Sequence, residues 1–315
     1  MTGEKSKIVT SQKRKSAAIS TLLLFCITVS IVFSENIADS VRIGLKLCAS
    51  SIIPAVFPFM VLSDAIVAYA SFEKSGFLKG AFERLFKING AALSAFISGA
   101  ICGFPLGVKS SVDLYQSGVI SKDEAERLIG FSNNTGPAFL IAGVGASMRG
   151  SIADGVLLYA SLLLSAVAVG ALFGINRKKS DFCTVNTRQN FDLVSSIKNS
   201  GINTLYICSF IVFFSVVVGL IKMGVSDARL LSITLPFLEL GNASAYLSNC
   251  GLSKHISLSL TGFATAFSGI SVHMQSLVFI KETDISTRLY FKMKLLQGVI
   301  SSAIILIFEN ILFYL

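Results

Sequence analysis

The chain has 315 residues, of which 53% are hydrophobic and 14% charged, with a formal net charge of +9 and a mean hydropathy of +0.72. Soluble domains carry about 45–50% apolar and about 25% charged residues, so the composition excludes a soluble protein and indicates a polytopic membrane protein. The basic residues are spread among loops between apolar runs, without a basic face or an aromatic-basic module. That excludes a reader of nucleic acid and fits positively charged cytoplasmic loops.

Uncharged stretches at 16–34, 47–63, 88–108, 128–148, 155–176, 199–221 and 255–280 leave room for six to nine membrane segments, since a spanning helix needs about 20 apolar residues. Residues 1–16 hold Lys5, Lys7, Lys13, Arg14 and Lys15 against Glu4 and are assigned to the cytoplasm. The apolar run within 17–34 resembles a signal peptide, but it exceeds the usual length of about 7–15 residues and no A-x-A site follows. It is expected to stay as a first transmembrane helix.

Next comes a first repeat, 40–176, with membrane segments at 43–70, 131–148 and 154–175 and a re-entrant element at 91–108. The basic stretch 177–200 holds Arg177, Lys178, Lys179, Arg188 and Lys198 against Asp181 and Asp192 and reads as a cytoplasmic linker. A second repeat, 201–315, follows. Transporter folds often carry such internal repeats, and AICGFPLGVKSSVDLYQSGVIS, ending at Ser121, is echoed by AFSGISVHMQSLVFIKETDIS, ending at Ser286, at an offset of roughly 166 residues. An odd number of crossings per half would invert the second half. The fold expected is all-α, with two inverted repeats and re-entrant or broken helices.

The stretch GFPLG cannot propagate a helix: Pro105 lacks an N–H and clashes with the preceding turn, and Gly103 and Gly107 permit positive φ. Non-helical backbone at membrane depth survives only inside protein or against a water-filled cavity. The N–H groups of Val108 to Ser110 are expected to start a new half-helix whose positive dipole end suits an anion, and Lys109 adds a full charge. The alternative is a surface loop with Lys109 snorkelling to water. A second break, FSNNTGP, sets the amides of Asn133 and Asn134 beside Gly136. In the second half Ser268, Gly269, Ser271, His273 and Gln275 lie within an uncharged stretch, as an extended segment or lining a cavity from a broken helix. Glu239, in LPFLELGNAS, is a candidate for proton or cation coupling, because ionisable groups at membrane depth are costly; ending a helix at the interface is the competing role. KDEAERL, 122–128, reads as an amphipathic, solvated surface helix with carboxylates in its first turn.

Enzyme motifs fail. Val108 separates Gly107 from Lys109 where Walker A needs adjacent Gly-Lys, Gly143 and Gly145 lack a third glycine, HExxH is absent, and SGISVH lacks the second glycine of a nucleophile elbow. The six cysteines (Cys26, Cys48, Cys102, Cys183, Cys208, Cys250) form no CxxC pair, so neither a disulfide framework nor a zinc site is expected, and no cofactor is indicated.

GFPLGVKSSVDLYQSGVISKDEAERLIGFSNNTGPAFLIAGVG resembles the hallmark region of the YlbJ/SpoVV type of sporulation integral membrane proteins, which contain the nucleoside-recognition or Gate domain, and FSGISVHMQ resembles their second stretch. The resemblance runs loosely from Ser40 to the C-terminus. It implies a fold related to concentrative nucleoside transporters, a bacterial membrane location that includes the outer forespore membrane, and movement of dipicolinic acid during endospore formation. The function expected is therefore transport of a small anionic or heterocyclic solute. A non-transporting scaffold for the spore envelope and a nucleoside-type carrier are the alternatives. The partners expected are the solute and the bilayer, and homo-oligomerisation is compatible with the sequence.

Overall fold

A computed structural model describes residues 20–21, 24, 27–69, 76–177 and 191–313. Most of the basic N-terminus and linker, with Cys26 and Cys183, lies outside the described residues. The described part is all-helical. Helices α1 (Ser34–Leu47) and α2 (Ile53–Tyr69) are joined by a π-helical turn, Cys48–Ile52, and are followed by α3 (Gly76–Phe86). Then come α4 (Leu93–Cys102), α5 (Leu106–Gln116), α6 (Lys122–Ser132), a π-helix over Ala138–Met148 and α7 (Ile152–Gly174). The remaining helices are α8 (Leu193–Gly224), α9 (Ala228–Leu238), α10 (Leu240–Asn249), α11 (Lys254–Phe267), α12 (Gly269–Ile280) and α13 (Thr287–Phe313).

Four helical stretches among the described residues are long and apolar enough to cross a membrane: Ile152–Gly174, Leu193–Gly224, Lys254–Ile280 and Thr287–Ile311. Gly76–Phe86 with Gly90–Cys102, bent by 101°, makes a fifth if taken as one span. Six to nine were expected from the whole chain; parts of the first membrane segment, 17–34, and the end of 43–70 lie outside the described residues, and apolar runs do not always become single helices. The run 43–70 is divided by the π turn, and 131–148 is interrupted at Asn133–Gly136, leaving an 11-residue π-helix. Lipid exposure is written on the long helices: Leu164, Leu205, Phe213 and Ile307 are each more than half exposed, a surface that a bilayer rather than water would cover.

Helices α4 and α5 form a hairpin, since a Cβ on Gly99 would lie 2.9 Å from the Gly107 Cα. Helices α9 and α10 form another: Tyr246 donates to the Ala228 carbonyl at 3.2 Å, bringing the far ends of the two helices together. Each hairpin is followed by an interrupted helix (α6 with the π-helix; α11 with α12) and then by a long one (α7; α13). Hairpin, interrupted helix and long helix thus occur over 93–174 and again over 228–313. This order pairs GFPLG with the tip at Glu239 and FSNNTG with FSGI, not GFPLG with FSGISVHMQ as the sequence comparison suggested. Both of those motifs are glycine breaks followed by polar residues, and one-dimensional similarity does not separate a hairpin tip from a kink.

Helix α6 departs from a solvated surface helix. Its start is a capping box, in which the Ser121 hydroxyl accepts from the Glu124 N–H and Glu124 accepts from the Ser121 N–H. Glu124 and Arg127 are nevertheless buried. Glu124 also accepts from the Asn89 N–H at 2.9 Å, and Arg127 donates to the carbonyls of Phe86 and Lys87 at 2.7 and 2.9 Å. The long charged side chains reach inward to satisfy the backbone at the end of α3, next to a ring cluster of Phe82, Phe86, Phe96 and Phe131.

Candidate functional site

Each hairpin tip presses on the interruption that follows it. At the first, Gly103 has φ 84, and a Cβ there would come within 2.8 Å of the Gly136 N. At the second, Gly269 has φ 71, and a Cβ there would lie 3.0 Å from the Leu238 carbonyl oxygen and 3.1 Å from the Glu239 N. Only glycine accommodates both the positive φ and the approach. The breaks also leave helix ends without continuing partners, as interrupted helices must.

Between the tips opens a cleft that is continuous with the space outside the protein. Cys102, Gly103 and Phe104 of the first tip, Thr135 and Gly136 of the first interruption, Glu239 to Gly241 of the second tip, and Val272 and Gln275 of α12 line it. Most of the remaining lining is apolar, including Phe139, Ile207 and Ile211. Glu239 is buried and caps α10, accepting from the N–H groups of Gly241 and Asn242 at 2.8 and 2.6 Å and from Asn242 Nδ2 at 2.9 Å. Gln275 is 2% exposed. Its Nε2 reaches Ser271 Oγ at 3.5 Å, while its Oε1 has no partner. A buried acceptor without a donor carries a desolvation cost of about 1–3 kcal/mol unless water or a ligand meets it.

Beside the cleft lies a buried polar cluster. Asn133 Nδ2 donates to Ser276 Oγ and Tyr290 Oη, both at 2.9 Å, and His273 Nδ1 lies 2.9 Å from the same Tyr290 hydroxyl. Lys294 Nζ donates to the Asn133 carbonyl and to Gln297 Oε1, both at 2.8 Å. Gln297 Nε2 donates to Asn134 Oδ1 at 2.8 Å, and Thr135 Oγ1 to the Thr265 carbonyl at 2.8 Å. Asn133 Oδ1 and His273 Nε2 have no hydrogen-bond partner.

Of the residues singled out from sequence, Gly103, Gly136, Glu239 and Gln275 line the cleft. Asn133, Asn134, Ser268, Gly269, Ser271 and His273 are buried but are not part of the lining. Lys109 and Ser110 are half-buried on α5 and also stand outside the lining. The break is shorter than GFPLG: α5 begins at Leu106 and the Lys109 N–H already bonds the Pro105 carbonyl at 3.0 Å, so Lys109 is not one of the free donors. Gly107 is helical, and a Cβ there would run into the Ser132 carbonyl oxygen. Ser271, His273 and Gln275 are helical rather than extended, so Gln275 shares a face with Ser271 while His273 turns toward Tyr290.

Tyr290, Lys294 and Gln297 are not among the residues singled out from sequence, because single polar residues spaced along an otherwise apolar helix form no local motif. The signal was present in helical phase: Tyr290, Lys294, Gln297 and Ser301 recur at intervals of four, three and four, which puts them on one face. All four are fully buried.

In sequence the chain is similar to the sporulation integral membrane protein YlbJ of Bacillus subtilis (strain 168), with 25% identity over 94% of this chain and 83% of that protein. No protein-family model matches the chain, and no solved structure matches it at a significant level.

Proposed function

We propose that this chain, an integral membrane protein related to the YlbJ type of sporulation protein, is a carrier, not an enzyme, that moves a small heterocyclic solute across a membrane during endospore formation. Dipicolinate is the candidate solute. The observation that carries this reading is the convergence of two hairpin tips and two interrupted helices on one cleft. A scaffold has no need of a shared cavity lined by broken backbone, whereas a carrier places its solute where half-helices end. The recurrence of hairpin, interrupted helix and long helix supports two structural repeats, inverted as in concentrative nucleoside transporters, with the linker at 177–200 between them.

The chemistry of the lining suits a flat ring. Phe104, Phe139, Ile207 and Val272 supply apolar wall. Gln275 is the side chain we assign to the solute's polar edge, because its amide, turned about its last torsion, aims the Nε2 donor at a carboxylate. Glu239 serves the second tip, its oxygens held by three N–H donors, and takes the coupling role in this reading. Positive charge for the carboxylates comes from the N-terminal end of α5 at the first tip, with Lys109 one turn further along.

Uptake of dipicolinate against uridine, into vesicles holding the full chain, tests the proposal. Dipicolinate moves, Gln275→Ala and Lys109→Ala lower its rate at least tenfold, and Lys122→Ala, on an exposed side chain, leaves it unchanged. Movement of uridine alone would replace the solute with a nucleoside. Movement of neither by inserted protein would return the chain to the scaffold reading.

A further inference from the structure

The interruption Asn133–Gly136 frees backbone carbonyls at the C-terminal end of α6, where the helix dipole favours a cation. In carriers with discontinuous helices, unwound carbonyls of this sort coordinate diffusible cations. Here the position is occupied by the chain itself. Lys294, fully buried, directs Nζ to the Asn133 carbonyl and to Gln297 Oε1, both at 2.8 Å. No carboxylate among the described residues pairs with it. Gln297 is fixed in turn by Asn134 Oδ1, and the neighbouring Asn133 Oδ1 is a buried acceptor with no donor. Two neutral oxygens around the Lys294 nitrogen, with no carboxylate, are ligands of the type that holds a monovalent cation rather than a salt bridge, because hard cations are held by carbonyl and amide oxygens.

We propose that the first interruption is a monovalent-cation site filled by the tethered ammonium of Lys294, so that the protein needs no sodium ion there. The Lys294 side chain joins α13 to the broken end of α6 across 161 residues of sequence, in the place that a bound ion would take. That transport is sodium-independent rests on the carrier reading above; that Lys294 fills a cation site does not.

Melting of the purified full chain in sodium chloride, potassium chloride and choline chloride at equal ionic strength separates the two. Wild-type protein melts at the same temperature in all three salts. Lys294→Ala and Lys294→Met melt lower, and sodium or potassium, but not choline, restores part of the loss. A sodium-specific rise in wild-type melting temperature would overturn the proposal, as would variants equal to wild type and indifferent to the cation. If neither variant folds, the wild-type comparison decides alone. In vesicles, dipicolinate uptake unchanged on replacing sodium with choline supports the transport consequence, and sodium-dependent uptake overturns it. Absence of any uptake counts against the carrier reading and leaves the melting result standing.

Discussion

Arg127 illustrates how a charge can be legible in sequence and misjudged in place. Its position in KDEAERL marks a polar helix, yet its guanidinium is buried against the last carbonyls of α3 and paired with Asp123 at 2.9 Å. Hydrogen bonds from a charged donor contribute about 1.5–3 kcal/mol each, so Arg127→Met, which keeps the apolar stem, should lower stability by about 3 kcal/mol, read as a fall in melting temperature. Asp284 works at the surface. It accepts from the Tyr115 hydroxyl at 2.6 Å and lies 3.0 Å from Lys122 Nζ, and the tyrosine hydrogen bond, followed by the lysine, holds its carboxyl below the ordinary value. A carboxyl depressed in the folded state stabilises above its unfolded value and loses that contribution as pH falls through the folded one. The difference in melting temperature between wild type and Asp284→Asn should therefore be constant at neutral pH and shrink as pH falls below about 4, the ordinary carboxyl value.

Within the helices, glycine and proline announced the interruptions but not their extent. The residues CGFPLG identify a break, and the first hairpin turns there. What the string does not say is that Gly107 is spent on packing: with Gly99 it makes the notch that receives the Ser132 carbonyl. Gly107→Ala should destabilise by about 1–3 kcal/mol or more through overpacking against backbone. Gly80→Ala, in α3 where an added Cβ meets nothing within 4 Å, should instead raise helix stability by up to about 1 kcal/mol. Comparing the two melting temperatures distinguishes a packing glycine from an incidental one. Lengths of apolar run were likewise informative only until a π turn or an interruption divided them, as in 43–70 and 131–148.

Taken together, the helices surround a cleft whose wall includes the half-buried thiol of Cys102. If the solute occupies that cleft, dipicolinate should slow the reaction of Cys102 with a water-soluble thiol reagent, in a chain whose other cysteines are replaced, while leaving an introduced surface cysteine unaffected. Equal reaction with and without the solute would place the binding site elsewhere. The same assay with uridine measures selectivity without requiring transport.

Membrane residence, helical class and the existence of breaks at Gly103, Asn133 and Ser268 were determined by the sequence itself, because hydropathy, charge and backbone freedom are properties of short stretches. Which break meets which was decided by the tertiary structure alone. Asn133 finds Tyr290 and Lys294 at separations of 157 and 161 residues, and Thr135 finds the Thr265 carbonyl 130 residues away. Such partners satisfy the polar groups that each interruption exposes in an apolar surrounding, and no local pattern encodes them. The cleft, and the lysine beside it, exist because these distant groups are brought together by the packing of α13 against α6 and of α11 against α13.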